Sequence, residues 1–392
     1  MLQRIGDCIL TKLGFGTRAN YMAVRNGLSG VEPCCAGTMG IPEPFMASLM
    51  DRSWIDEQFM SIGGNRVYYY TPFEKVAILA AHRAIGEAKI DAAAPDVLFV
   101  LSTTKGNVEL LDTPNHPYGE NHLYLWRSAQ LLTQFFGNTN IPVVVSNACI
   151  SGVCAQIQAD RLLSTGKYTT AIVIGAEMLS KFVVSGFQSF KALSNSRCRP
   201  FDATRDGLNL GEGAACIVYK HVEANTAPAP GAIRLLSGAI RNDANHISGP
   251  SRTGEGLHNA IDATMRGINP NQLAFVSAHG TATPYNDEME SIALSRSGML
   301  EVPIFSLKPH FGHTLGAAGV LETIIGFNAL TDGEIPASMG FETTGTSHAV
   351  NISAQPRSTN KSMFMKLLSG FGGSNAAMVV EHTPINTSKP CE

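Results

Sequence analysis

The sequence predicts a layered α/β fold built from two similar halves, and three observations support this prediction. Apolar strand-like runs alternate with helix-like segments along the chain, which is typical of largely parallel sheets covered by helices. The segment GEGAACIVYK from Gly211 recurs 161 positions later as GGSNAAMVVE from Gly372. The 392 residues are 44% hydrophobic and include 38 glycines, which suits a large core with tight turns. Two such halves packed together give five layers, α/β/α/β/α.

Other elements repeat in the same way. Ile141-Pro142 opens a predicted strand, and Val302-Pro303 opens another at the same offset of 161 positions. The apolar run from Asp96 that leads into a small polar loop has a counterpart from Gln272. A common offset in two separate elements indicates that the halves are duplicated.

The boundary between the halves is expected near residue 224. This gives an N-terminal half at 1–224 and a C-terminal half at 225–392. The connecting run NTAPAP, Asn225–Pro230, has an ordinary length for a loop inside a compact domain. The alternative is a flexible hinge between two domains.

Cys149 is the first candidate for chemistry. It follows the apolar stretch Ile141–Val145, a predicted strand, and precedes a predicted helix at Val153–Leu163 that Ser151 and Gly152 open. A thiol at a helix N-terminus faces free backbone N–H groups, which favour the thiolate. We therefore expect a nucleophile that needs no dedicated base. The alternative is a small buried side chain, as most free cysteines are.

Two histidines also follow predicted strands. His279 comes directly after Phe275-Val276-Ser277-Ala278, and the small residues at 280–283 would let a ligand approach the backbone closely. His313 follows the strand-like stretch Pro303–Leu307. Each histidine alone would be structural more often than not. Strand ends of one α/β domain commonly meet at a single crevice, however, and one thiol with two imidazoles suffices for acyl transfer.

Composition narrows the class of protein. The net charge of −3 gives no general attraction to nucleic acid. The eight cysteines form no Cys-x-x-Cys pair with zinc spacing, so we expect reduced thiols and no metal site. We find no apolar run long enough to span a membrane and no signal-peptide layout at the N-terminus, and we expect a cytoplasmic protein.

At this level of detail the chain resembles a known family, the β-ketoacyl-acyl carrier protein synthases of the elongating (Cys-His-His) type, in the thiolase superfamily. The resemblance covers about Val97 to Glu381 and implies a thiolase-like fold. Its motifs are Asn147-Ala148-Cys149, Gly175-Ala176-Glu177, Lys191-Ala192-Leu193-Ser194, Arg199-Pro200-Phe201-Asp202, Gly211-Glu212-Gly213-Ala214, His279-Gly280-Thr281, Lys308 to His313, Gly316-Ala317-Ala318-Gly319 and Gly370 to Asn375. Residues 1–16 depart from the family's usual opening strand and turn.

The resemblance implies a two-step reaction. Cys149 would hold an acyl chain as a thioester, and the backbone N–H groups of Cys149 and Phe371 would stabilise the tetrahedral oxyanion. His279 and His313 would hydrogen-bond the carbonyl of a malonyl thioester as carbon dioxide leaves. The resulting carbanion would attack the acyl group. The product is a fatty-acid or polyketide chain longer by two carbons.

The resemblance assigns supporting roles as well. Lys308 would order the site electrostatically, and Glu322 would support it from the following helix. Thr281 and Thr283 would bind the phosphopantetheine arm of acyl carrier protein, and Lys191 would help dock that partner. No cofactor is expected beyond this arm. Phe371 is also a candidate gate to the acyl pocket.

The resemblance also implies a homodimer that pairs through the strand at Thr170–Gly175. Related activities fit less well. A degradative thiolase would carry a second cysteine in a late Cys-x-Gly loop, and a starter-unit synthase would carry asparagine in place of one histidine. A non-catalytic chain-length partner would have lost the nucleophile. Fatty-acid and specialised polyene or polyketide pathways remain open alternatives, because both use the same catalytic centre.

Overall fold

The structure is a computed structural model that describes residues 1–64, 69–113, 115–223, 225–352 and 354–384. Its strands are β1 (Leu2–Thr11), β2 (Gly14–Phe15), β3 (Glu32–Cys34), β4 (Phe45–Ser48), β5 (Val97–Ser102), β6 (Val143–Val145), β7 (Thr170–Glu177), β8 (Leu210–Gly211), β9 (Gly213–His221), β10 (Ile233–Asn242), β11 (Leu273–Ser277), β12 (Ile304–Phe305), β13 (Glu334–Ile335), β14 (Arg357–Ser358), β15 (Met363–Gly370) and β16 (Ser374–His382). Its α-helices are α1 (Thr17–Arg25), α2 (Arg52–Ser61), α3 (Pro72–Ala88), α4 (Leu125–Phe135), α5 (Ser151–Leu163), α6 (Lys181–Ser189), α7 (Glu255–Thr264), α8 (Pro284–Arg296), α9 (Lys308–Phe311) and α10 (Ala318–Asp332).

The main sheet confirms the predicted duplication. Its strand order is β12-β11-β15-β16-β10-β1-β9-β7-β5-β6, so each half contributes five strands in the same order from its outer edge inwards. In each half three strands are parallel, and the next strand, β9 or β16, runs antiparallel to them. The strands β9 and β16 begin and end 161 positions apart. The atypical N-terminal segment forms β1, which pairs with both β9 and β10.

The helices complete the five layers. The helices α5 and α10 pack against each other between the two five-stranded units, α3 covers the outer face of the N-terminal unit, and α7 packs against β10 and β16 of the C-terminal unit. The expected layered α/β/α/β/α fold is therefore confirmed. The expected boundary at residue 224 falls outside the described residues and stays a prediction. Among the described residues, no helix combines the length and apolar character that crossing a membrane requires.

A close approach of two glycines sets the spacing of the central layer. A Cβ atom on Gly152 of α5 would lie 2.8 Å from the Cα of Gly319 in α10, and one on Gly319 would lie 2.4 Å from the Val153 nitrogen. Any larger side chain would force these helices apart. Small residues therefore bring together the two helices that follow Cys149 and His313.

The prediction that a dimer pairs through the strand at Thr170–Gly175 is wrong. Residues Thr170–Gly175 lie in β7, which is hydrogen-bonded on one side to β5 and on the other to β9. Both of its edges are used, so it has no backbone groups left for a second subunit. The edge strand beside the nucleophile is β6.

Candidate active site

Cys149 lies on a strained turn between β6 and α5. Ala148 has a φ of 45°, in the left-handed region that a side chain disfavours. The Ser151 hydroxyl stabilises this turn, because it accepts a 2.8 Å hydrogen bond from the Asn147 amide and donates a 2.6 Å bond to the Ala148 carbonyl. The turn lifts Cys149 out of the strand and leaves it buried, with 7% of its surface exposed.

The protonation state of Cys149 differs from the expectation. Burial raises the pKa of the thiol to about 11, and the nearby Lys105 and Lys308 ammonium groups lower it by less. The resting residue is therefore a thiol at neutral pH. The raised pKa favours a neighbouring proton acceptor over the predicted nucleophile without a dedicated base, which stays a prediction.

His279 follows β11 and lies on a loop that α8 fixes in place. Glu290 accepts hydrogen bonds from the backbone amides of His279, at 2.8 Å, and Gly280, at 2.7 Å. Asp287, one turn earlier in α8, accepts from the amides of Phe201 and Ala282. Two buried carboxylates thus hold the loop by its backbone, which leaves the imidazole of His279 free to face the cavity.

His313 lies beside His279 in the same cavity. The two ring centroids are 5.1 Å apart, with the rings nearly perpendicular. The backbone amide of His313 donates a 2.7 Å hydrogen bond to the Asn209 carbonyl. One donor atom from each of Cys149, His279 and His313 can be chosen so that all three lie within 4.8 Å of one another. We call these three residues the reactive cluster.

Both imidazoles are neutral. Burial, followed by the Lys308 charge, lowers the pKa of His279 and of His313 well below the usual value. A neutral imidazole can accept the proton of the Cys149 thiol or donate a hydrogen bond to a carbonyl oxygen. The cluster could also bind a soft metal ion, which would block the nucleophile; the expectation of no metal site stays a prediction.

A second buried group adjoins the reactive cluster. Lys308 is completely buried and forms an ion pair with Glu322, which also lies 2.5 Å from the Nζ atom of Lys366. The two lysines lower the pKa of Glu322 against the opposing effect of its burial. We call Lys308, Glu322 and Lys366 the ionic cluster. Lys308 thus lies near enough to both histidines to lower their pKa, and Glu322 pairs with Lys308 on the helix that follows.

The remaining predicted residues line one cavity of about 360 Å³. Its wall contains the reactive cluster together with Thr281 and Thr283, whose hydroxyl oxygens are 2.9 Å apart. Phe371 stacks on Phe187 with ring centroids 5.6 Å apart. The exposed Lys191 lies at the rim. The cavity therefore connects the solvent-facing side of Lys191 to Cys149.

The end of β15 that leads to Phe371 lies against the turn that carries Cys149. A Cβ atom on Gly370 would lie 3.1 Å from the Cys149 backbone nitrogen and from the Ala148 side chain. Glycine at this position lets the end of β15 approach the nucleophile turn. Phe371, the next residue, is 37% exposed and contacts Phe187 and Phe190, which suits a side chain that can change position.

The sequence analysis did not identify three residues that contribute to the site. Lys366 left a signal, because it is the one charge in the strand MFMKLLSG. Asp287 and Glu290 left a weaker one, a pair of acids three residues apart in the helix that follows His279. Acids on a helix are usually solvated, and only the fold shows that these two are buried.

Comparisons with known proteins agree with this site. The sequence profiles described as β-ketoacyl synthase N-terminal and C-terminal domains match residues 33–225 and 233–342. A Schizosaccharomyces pombe protein named as a mitochondrial 3-oxoacyl-[acyl-carrier-protein] synthase is 26% identical over 94% of this chain and 96% of its own. The 3-oxoacyl-[acyl-carrier-protein] synthase 2 of Vibrio cholerae is 32% identical, and its match covers 60% of this chain and 61% of the relative.

Solved structures share the fold. The ketosynthase ApeO of Xenorhabdus doucetiae, in complex with its chain length factor, has a TM-score of 0.84 and 23% identity over 97% of this chain and 98% of its own. A β-ketoacyl synthase from Burkholderia phymatum has a TM-score of 0.83 and 23% identity, over 97% of this chain and 99% of that one. These likenesses show the fold. The two profiles and the curated relatives show that the chain belongs to the β-ketoacyl synthase family and is a 3-oxoacyl-[acyl-carrier-protein] synthase, an acyltransferase that condenses thioesters.

Proposed function

We propose that the reactive cluster divides the condensation into two half-reactions. The observation that carries this proposal is the convergence of one thiol and two neutral, unpaired imidazoles in one cavity. In the first half-reaction an imidazole takes the Cys149 proton, the sulfur attacks the acyl thioester, and the carrier thiol leaves with a proton. The amides of Cys149 and Phe371 stabilise the tetrahedral oxyanion.

In the second half-reaction, malonyl carrier protein enters the cavity. The C–C bond to its carboxylate breaks, carbon dioxide leaves, and the electron pair forms an enolate on the thioester. His279 and His313 donate hydrogen bonds to this enolate oxygen. Its carbon attacks the acyl-Cys149 carbonyl, and the sulfur leaves to give a chain longer by two carbons. The ionic cluster orders the histidines, with Lys308 and Glu322 in the predicted roles.

Mass spectrometry of the protein with a panel of acyl carrier protein thioesters tests this function and reads out the preferred acyl chain. We expect an acyl adduct on Cys149 and, with malonyl carrier protein, carbon dioxide release and a product longer by two carbons. Absence of any adduct would instead favour the second candidate, a non-catalytic partner of a ketosynthase. That candidate rests on the solved complexes with a chain length factor, but this chain retains all three reactive residues.

We assign the phosphopantetheine arm to Thr281 and Thr283, and carrier docking to the rim around Lys191. No separate cofactor is required by these steps. Acyl carrier proteins are acidic, so an exposed lysine at the rim favours their approach. A Lys191→Glu variant should raise the KM for acyl carrier protein several-fold with little change in kcat, and Lys220→Glu, on the exposed end of β9, is the matched control.

We also propose a dimer, now through β6 in place of β7. In the described residues β6 is an edge strand, Ile141 beside it is 85% exposed, and Trp126 of α4 is also exposed. A second copy, or a related subunit, would cover this apolar edge. Light scattering at micromolar concentration should give a dimer, and Ile141→Asp should weaken it. A monomeric wild-type protein would contradict the proposal.

Two further assignments complete the proposal. We place the protein in the cytoplasm, where its thiols would stay reduced; fractionation of the source cells tests this, since one relative carries a mitochondrial name. We assign residues 1–224 and 225–392 to the two halves of the duplication. Limited proteolysis should leave the segment that joins them uncut if it is an ordinary loop within one domain.

A further inference from the structure

Lys366 lies in the middle of β15 and is completely buried. Its neighbours in the strand are apolar, and the condensation steps above give it no role. A buried ammonium group is costly unless charges and hydrogen bonds compensate for lost water. An apolar residue would pack equally well at this position, so packing does not explain the lysine. The groups that its ammonium contacts indicate its function.

The partners connect two parts of the active site. The Nζ atom donates hydrogen bonds to the carbonyl oxygens of Ser277, at 3.1 Å, and Ala278, at 3.0 Å, and contacts the Ser277 hydroxyl at 3.3 Å. Ser277 is the last residue of β11, and Ala278 directly precedes His279. The same Nζ lies 2.5 Å from Glu322. Lys366 therefore links the backbone that carries His279 to the ion pair of Lys308.

Lys366 also changes the charge of the site. With two lysines and one glutamate, the ionic cluster carries a net positive charge next to two neutral imidazoles. Lys366 is one of the cations that lower the pKa of both histidines, after burial and Lys308. The titratable and charged groups that face Lys366 are Glu322, Lys308 and Glu290, with His279 and His313 beside them.

We propose that Lys366 is a positioning residue for decarboxylation, which holds the His279 strand end against Glu322 and supplies a second buried positive charge to the site. The proposal rests on the proposed function. It predicts that Lys366 affects the malonyl half-reaction and leaves acyl transfer to Cys149 unchanged, because Cys149 is carried by β6 and α5, and the partners of the Lys366 ammonium among the described residues lie in neither element.

The proposal has a pH signature. Burial lowers the pKa of Lys366 to about 8, with Glu322 opposing the effect. Below that pH the ammonium is charged and donates its hydrogen bonds; above it the charge is lost. Decarboxylation by the wild-type enzyme should therefore fall as the pH rises through about 8, whereas acyl loading should not fall, because the Cys149 thiolate fraction increases over the same range.

The experiment compares Lys366→Met with Lys361→Met. Methionine keeps the length of the buried side chain and removes its charge. Lys361 is a matched control, because its Nζ also donates to a β11 carbonyl, that of Leu273 at 3.1 Å, but at the far end of the strand from His279. Carbon dioxide release from malonyl carrier protein and the mass of acyl-Cys149 are measured for each variant between pH 6 and 9.5.

For Lys366→Met we expect the kcat of decarboxylation to decrease about tenfold or more, as it does when catalytic groups are displaced, with little change in KM. The remaining decarboxylation rate of this variant should not decrease as the pH rises through about 8. Acyl loading and all properties of Lys361→Met should match wild type. A Lys366→Met variant that decarboxylates malonyl carrier protein as fast as the wild-type protein would overturn the proposal. If that variant does not fold, a flat wild-type profile from pH 7 to 9.5 would overturn it equally. A wild-type protein that releases no carbon dioxide would refute the proposed function instead.

Discussion

The reactive cluster and the ionic cluster are equally buried but differ in how their polar atoms are paired. Among the described residues, the Nδ1 atom of His279 and both ring nitrogens of His313 have no hydrogen-bond partner. In the ionic cluster, Glu322 pairs with both lysines, and Lys366 has additional carbonyl partners. The imidazoles of the reactive cluster keep unpaired nitrogens, whereas the charges of the ionic cluster are held in ion pairs.

This difference shows which residues are reserved for substrate. A buried polar atom without a partner lowers stability by about 1–3 kcal/mol, and the unpaired nitrogens of His279 and His313 belong to side chains that line the cavity, where a substrate can supply the missing partner. A paired buried charge stabilises the fold only while every partner is present. Variants of the reactive cluster should therefore lose activity at little cost in stability, and variants of the ionic cluster should lose both.

The largest expected effect is that of Cys149→Ala. Condensation should fall on the order of 10⁴-fold or more, as removal of a covalent nucleophile does in other acyl-transfer enzymes. The melting temperature should not fall, because the raised pKa of Cys149 shows that its site does not favour a charged sulfur. Intact-protein mass spectrometry and thermal unfolding measure both. An acyl adduct that persists in this variant would show that another residue is acylated.

The histidine variants should separate the two half-reactions. His279→Ala or His313→Ala should slow malonyl decarboxylation by about 10²–10³-fold, the cost of one lost oxyanion donor, while acyl loading continues. Cys149→Ala should do the reverse. Because the Cys149 thiol needs a proton acceptor, the double variant His279→Ala with His313→Ala should also slow loading. Carbon dioxide release and acyl-enzyme mass are measured for each, and unimpaired decarboxylation in both single variants would refute this assignment.

The reactive cluster was predictable from sequence because each member follows an apolar strand-like run. Parallel strands of one unit end at the same edge, which brings together His279 after β11 and His313 after β12. Cys149 follows β6 in the other unit, which runs in the opposite direction, and the packing of α5 against α10 joins it to the histidines. The repeat in the sequence also predicted which strands correspond in the two halves, because β9 and β16 keep the same offset in the structure. Local pattern therefore indicates each reactive residue, and the packing of the two units decides that the three residues meet.

The ionic cluster and the charge states were less accessible. The pKa of Cys149 depends on how much water the folded chain excludes, and no local pattern reports that quantity. Lys366 forms its contacts with β11 and α10, which lie far from it in the chain. The dimer was predicted to pair through β7 for a related reason. The apolar composition of a strand does not show which neighbouring strands already pair with its edges.

A Glu322→Gln variant tests the ion-paired side of the comparison. It leaves Lys308 and Lys366 buried without their shared anion, so the free energy of unfolding should fall by about 3–5 kcal/mol. The pKa of Glu322 is lowered in the folded protein, so this carboxylate stabilises the fold at any pH above the ordinary carboxyl pKa. Its contribution to the free energy of unfolding is lost as the pH falls through the lower folded pKa. Chemical denaturation at pH 7 measures the loss. Stability equal to wild type would show that the ion pairs do not stabilise the fold.

The smallest expected effect is on the rate of Cys149 alkylation in the wild-type protein. Burial raises the pKa of this thiol to about 11, so the thiolate fraction should still rise about tenfold for each pH unit between 8 and 10. Iodoacetamide labelling followed on the Cys149 peptide measures this rise, with the exposed Cys35 in the same digest as the internal reference. A labelling rate that levels off near pH 7 would mean that the α5 N-terminus and the nearby lysines outweigh desolvation. The unpaired imidazoles would then be needed only for the malonyl half-reaction, and the double histidine variant should load its acyl chain as fast as wild type.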